Sequence, residues 1–150
     1  MVRSLTLALL ALSLTVTAAD FSGVWKLNPA KSKSTGTPAP KELTVTYTKQ
    51  GTGWTYEAKG TSSSGEAISR SYTFVKDGEE AKTTGFPNWD GIVLKDTAAT
   101  KSTFTLMRQG KVVGKGTRTL SADGKTITIQ STATAADGKK TTTHNVFDKQ

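Results

Sequence analysis

"DFSGVWKLN", residues 20–28, sets Phe21, Gly23 and Trp25 at every second position, with Lys26 and Leu27 following directly. In an extended chain residues two apart lie on one face, so an aromatic, a glycine and a tryptophan share one side. The stretch follows an apolar run. Met1-Val2-Arg3 is a short basic start, Leu5 to Val16 is apolar, and Thr17, Ala18 and Ala19 are small. That order of charge, apolar core and small residues predicts a secretory signal peptide over 1–19, with cleavage after Ala19 or Ala18. The run falls short of the roughly 20 apolar residues that a spanning helix needs. The domain then occupies 20–150, and the expected location is exported, in the periplasm or secreted.

Composition narrows the chemistry. The chain holds no cysteine and one histidine, His144. Disulfides, thiol catalysis and thiolate metal sites are thereby excluded, as is a lipid anchor on a cleavage-site cysteine. Loss of Arg3 with the leader takes the formal net charge from +8 to +7. A basic surface favours anionic partners in general, but the lysines are scattered and form no nucleic-acid-binding run. No nucleic-acid partner is expected. Nothing after the leader is apolar enough to span a membrane.

Beyond residue 40 the pattern is alternation. Leu43, Val45 and Tyr47 alternate with threonines, and so do Phe104 with Leu106 and Ile127 with Ile129. Trp54, Tyr56 and Ala58 form one face of another run, and Ile68, Tyr72 and Phe74 share a parity in the next. Threonine suits the outer face of a half-solvated strand, because its branched side chain fits the pleat while its hydroxyl meets water. Asp-Gly pairs at 77–78, 90–91, 123–124 and 137–138 punctuate these runs and supply the positive φ of tight hairpins. "NPAKSKSTGTPAP", 28–40, carries three prolines and reads as a loop, and Pro87 in "TGFPNW", 84–89, marks an edge, bulge or loop. No stretch has sustained helical periodicity. The expected fold is all-β: an antiparallel up-and-down barrel of eight to ten strands with no substantial helix.

The Phe21-x-Gly23-x-Trp25-Lys26-Leu27 opening, with a meander behind it, resembles the calycin superfamily, whose lipocalins and fatty-acid-binding proteins begin in this way. The chain is most similar to small exported lipocalin-like bacterial proteins that add a late "RTLSADGKTITI" hairpin, here 118–129, and a "VFDKQ"-like end, here 146–150. The resemblance implies a barrel holding a small apolar or amphipathic ligand. It also implies that Gly23 and Trp25 plug the closed end, with an arginine from a late strand against the tryptophan; Arg118 is the candidate. Two features depart from the fatty-acid-binding pattern. The proline-rich 28–40 segment is unfit for a helical lid, and the terminal "THNVFDKQ" lacks the Arg-x-Tyr pair.

The remaining candidates come from strand parity. Arg70 shares the face of Ile68, Tyr72 and Phe74; Arg108 that of Phe104 and Leu106; Arg118 that of Leu120 and Val112. A guanidinium inside an apolar barrel costs several kcal/mol unless paired, and its fork fits a carboxylate or phosphate. Arg70, Arg108 or Arg118, helped by Tyr72 or Tyr56, can therefore grip an anionic head group while Phe74 and Phe104 line the tail. The bland alternative has the same aromatics filling a core and the arginines leaning from a rim. Gly114 and Gly116, on the inner parity, leave space or mark a bend. His144 groups with Val146 and reads as a tucked strand residue. No nucleophile–base motif, phosphate loop or metal-ligand spacing occurs, so no enzyme, cofactor or metal is expected. Two functions lead, ahead of a weaker third, a barrel enzyme with His144 as a lone general base at an internal site. One is an exported carrier of a small hydrophobic or amphipathic ligand, anionic where the arginines grip it. The other is an envelope interaction or inhibitor module with a filled barrel, acting through the 28–40 loop, the "TGFPNW" patch and its basic surface.

Overall fold

Alternating runs become strands wherever the sequence repeats with period two. The computed structural model describes residues 20–150; the leader expected over 1–19 lies outside the described residues. The strands are β1 (Gly23–Leu27), β2 (Lys33–Thr35), β3 (Glu42–Gln50), β4 (Gly53–Thr61), β5 (Ala67–Phe74), β6 (Glu80–Thr84), β7 (Gly91–Ala98), β8 (Lys101–Arg108), β9 (Lys111–Leu120), β10 (Thr126–Thr134) and β11 (Lys140–Lys149). From β3 to β11 each strand pairs antiparallel with the next, as a meander of hairpins must. β1 pairs with β3 on one side, Trp25 opposite Val45, and with β11 on the other, Trp25 opposite Lys149. That double pairing closes ten strands into a barrel.

The segment expected to be only a loop contains β2, which pairs with β11, His144 opposite Lys33. Residues 28–32 bulge between β1 and β2. Asn28 N–H donates to the Val146 carbonyl at 2.8 Å, and the Ser32 hydroxyl accepts from Val146 N–H at 3.0 Å. β1 and β2 are thus one interrupted edge laid along β11. The two "ADGK" turns close β9–β10 and β10–β11, with Gly124 and Gly138 at positive φ. Asp90-Gly91 is not a hairpin turn. Gly91 begins β7, and the place of its missing side chain is taken by the Glu80 carboxylate. The Asp90 carboxylate instead accepts Gln109 N–H across the barrel end, at 3.1 Å.

Inward side chains of the meander pack into one core: Trp25, Leu27, Leu43, Val45, Tyr47, Trp54, Ala58, Phe74, Ile92, Leu94, Leu106, Ile127 and Phe147 among them. Trp25 is wholly buried, and its indole N–H donates to the Phe21 carbonyl at 2.9 Å. Burying an indole with its one polar atom satisfied is what makes this position a plug. The turns after β3, β5, β7 and β9 gather at this closed end. Those after β2, β4, β6, β8 and β10 gather at the other. Two bulges interrupt the ladder. One, at Val113, shifts the β8–β9 register between Leu106 and Met107. Val112 is therefore out in solvent, 66% exposed, and does not share the face of Arg118.

Candidate functional site

A cavity of about 330 Å³ occupies the barrel interior and opens between the turns opposite Trp25. Three kinds of wall meet in it. β3–β5 contribute Tyr47, Tyr56, Tyr72 and Arg70; β7–β9 contribute Ile92, Leu94, Phe104, Leu106 and Arg118; β10–β11 contribute Ser131, Thr143 and Asn145. Phe86, Pro87, Asn88 and Trp89 stand at the mouth with residues 37–40 and Ser62-Ser63. The volume falls at the small end of the roughly 300–1,000 Å³ typical of ligand pockets.

The aromatic wall follows from register. Tyr47 lies opposite Tyr56, and Tyr56 opposite Tyr72, so one row crosses three strands. Tyr56 and Tyr72 stack at 4.6 Å between ring centres, and Tyr47 meets Tyr56 edge-on at 5.3 Å. Phe86 continues the row towards the mouth, 6.1 Å from Tyr56, and stacks on Trp89 at 3.7 Å. Burial pushes the phenol pKa of Tyr56 and of Tyr72 well above the ordinary range, because a phenolate has no water there; Tyr47 adds to the rise and Arg118 opposes it.

Arg118 is the deepest charge. Asp96, Ser102 and Arg118 stand opposite one another on β7, β8 and β9, which puts all three at one level of the barrel. Arg118 Nη2 donates to Ser102 Oγ at 3.1 Å, and Ser102 Oγ donates to Asp96 Oδ1 at 2.7 Å. Ser102 is fully buried, Arg118 only 6% exposed, and Arg118 Nε has no hydrogen-bond partner. Across the lumen the guanidinium lies 3.8 Å from the Phe21 ring centre and 4.9 Å from that of Tyr47. Burial works against its charge, but Tyr47 and Tyr72 outweigh that and its pKa is raised. The resemblance implied an arginine against Trp25. In the structure Arg118 covers Phe21 instead, and Lys149 stands over the Trp25 ring at 5.2 Å.

The other candidates divide. Arg70 lines the cavity nearer the mouth, half-buried, its guanidinium 5.3 Å from the Phe86 ring centre. Arg108 is not in the cavity wall. It braces the barrel end, Nη1 donating to the carbonyls of Asn88 at 3.1 Å and Thr134 at 3.2 Å. Phe74 is core beyond the tyrosine row and does not reach the cavity. Phe104 does line it, lying over Gly116, its partner on β9; a Cβ at 116 would run into the Phe104 ring and the Gln130 carbonyl. The space that Gly116 frees is therefore already taken by a side chain. Cavity-facing residues on β11 are 141, 143, 145 and 147, so His144 and Val146 face outward; His144 Nδ1 meets Gln130 Nε2 at 3.0 Å on the outer wall.

Sequence reasoning missed Asp96, Ser102 and the Phe86–Trp89 pair. The "TGFPNW" punctuation was the one signal for the last two, and it marked a loop without saying which way its rings point. Among the described residues no carboxylate lies within ion-pair distance of an arginine, and no His/Asp/Glu cluster fits a metal.

Neither a protein-family model nor a curated protein matches the sequence. A solved structure shares the fold. The crystal structure of zebrafish ileal bile acid-binding protein complexed with cholic acid aligns at a TM-score of 0.52 and 15% identity, covering 87% of this chain and 98% of that one. A redesigned β-barrel, mFAP1, bound to DFHBI, aligns at a TM-score of 0.40 and 18% identity, covering 86% and 94%.

Proposed function

We propose that this chain is an exported binding protein that takes a small amphipathic acid into the barrel, anionic group inward. The observation that carries the reading is Arg118. A guanidinium buried at the floor of an apolar cavity, with one N–H unpartnered and the Asp96 carboxylate reached only through Ser102, is costly to keep for packing alone. It is well suited to a carboxylate or phosphate that arrives with its own apolar tail, because charge-assisted hydrogen bonds are strong where water is excluded. Ser102, held by Asp96, fixes the guanidinium plane, so little freedom is lost on binding. The tyrosines, with Leu94, Leu106 and Ile129, surround the tail. The barrel of the same fold complexed with cholic acid supports a small amphipathic acid as the ligand class. The leader pattern over 1–19 supports export.

Chloroform–methanol extraction of protein purified from its native host, read by mass spectrometry, tests this. A recurring amphipathic acid, absent from an Arg118→Met variant of equal stability, is the expected result. Extracts without such a molecule, together with no binding of dodecanoate in calorimetry, would reject the carrier and favour a filled barrel that acts through its loops.

A further inference from the structure

The cavity has a second cation at a different level. Arg70 stands opposite Ala58 on β5, two residues mouthward of Tyr72 and so about 7 Å further along the strand. Tyr72 belongs to the row whose Tyr47 ring lies against Arg118. Arg118 and Arg70 therefore occupy the floor and the upper wall of one space. The Arg70 side chain has no hydrogen bond or ion pair to protein among the described residues; its one specific contact is the Phe86 ring. The cavity wall contains no aspartate or glutamate. Two guanidiniums thus face one space: Arg118 has the Asp96 carboxylate behind Ser102, whereas Arg70 has no ion-pair partner among the described residues. A ligand with a single charged head would satisfy Arg118 and leave Arg70 uncompensated beside its tail.

Building on the carrier reading, we infer that the ligand carries two anionic groups, one at each end of an apolar body: the first on Arg118 at the floor, the second on Arg70 below the mouth. The Phe86 ring under Arg70 holds the guanidinium over the cavity, since a cation stacked on an aromatic face keeps its edge N–H groups free to donate. Ser62, Ser63 and Thr37 at the mouth offer further hydroxyl donors to the outer group. Ligands of this class include long dicarboxylates and acids bearing a second carboxylate, sulfate or phosphate at the far end.

Calorimetry with matched probes tests the pairing: dodecanoate, ω-hydroxydodecanoate and dodecanedioate, with octanedioate and hexadecanedioate to set the span. The wild-type chain should bind the dioate of best length about tenfold more tightly than dodecanoate, the scale of one charge-assisted contact. ω-Hydroxydodecanoate should lack that gain. Arg70→Gln should bring the ratio of dioate to dodecanoate affinity to about one, while Arg70→Lys keeps part of the preference. Equal binding of every dioate and dodecanoate by wild type, or a preference that survives Arg70→Gln, overturns the second site and leaves the carrier reading standing. Failure of all five probes to bind overturns both.

Discussion

The Arg118 guanidinium lies 3.8 Å from the centre of the Phe21 ring, across the floor of the barrel. Phe21 also accepts the Trp25 indole N–H through its carbonyl. One residue of the opening stretch thus joins the plug of the barrel to its deepest charge. A cation over an aromatic face is attractive, by about 2 kcal/mol when both are desolvated, but that falls short of the several kcal/mol needed to bury an ion with no carboxylate in direct contact.

Replacing Arg118 by methionine should therefore leave the fold as stable as before, or more so, while dodecanoate binding is lost. Methionine fills similar volume without a charge to desolvate. Urea unfolding and calorimetry on the same preparation give both numbers. A stability loss above about 2 kcal/mol would instead make Arg118 a structural residue, since losses of that size come from broken packing or buried networks.

Ser102 is a positioning residue, and Ser102→Ala isolates its role. The change removes the acceptor of Arg118 Nη2 and the donor to Asp96 together. We expect a loss of about 1–3 kcal/mol in stability, because buried polar groups are left without partners. Ligand affinity should fall less than in Arg118→Met, with the loss carried by dissociation rate in stopped-flow measurements. Ser102→Thr keeps the hydroxyl and should recover part of the affinity.

Gly116→Ala should destabilise the barrel by about 1–3 kcal/mol, the usual cost of overpacking. The added methyl meets both the Phe104 ring and the Gln130 carbonyl. Combining it with Phe104→Leu relieves only the first clash, so the double variant should recover stability in part. Full recovery in chemical denaturation would mean that the backbone contact yields easily.

Alkaline pH should weaken the fold through Tyr56 and Tyr72. Both have folded pKa values raised by burial, so the folded state holds its phenol protons where the unfolded chain, near pH 10, releases them. Stability is then fully present below about pH 10 and declines as pH rises beyond it. Tyrosinate absorbance should report these two phenols ionising together with loss of the tertiary circular dichroism signal. Tyr56→Phe with Tyr72→Phe should move the decline to higher pH; an unmoved midpoint would assign it to other groups.

Much of this architecture is legible in the chain itself. Period-two alternation placed β3, β4, β5, β8 and β10, because a strand's two faces are a local property of consecutive residues. The Phe21-x-Gly23-x-Trp25 opening marked the plug, and parity put Arg70, Arg118, Tyr56, Tyr72 and Phe104 inside. Parity failed where the ladder does: the bulge at Val113 sent Val112 outward; His144, read as tucked with Val146, lies half-buried on the outer wall against Gln130.

Tertiary structure decided the rest, and the reason is register. Asp96, Ser102 and Arg118 become a hydrogen-bonded chain only because three strands align them at one level, and Tyr47, Tyr56 and Tyr72 form a wall for the same reason. Register depends on the pairing of residues remote in sequence, which a period-two pattern leaves open by any even number of residues. Whether an inward side chain meets space or another side chain is equally non-local. Phe74 disappears into the core, Phe104 fills the room above Gly116, and Arg108 turns to the carbonyls of Asn88 and Thr134. Sequence alone determined a barrel with cations facing in; closure of the barrel determined that two of those cations share one cavity.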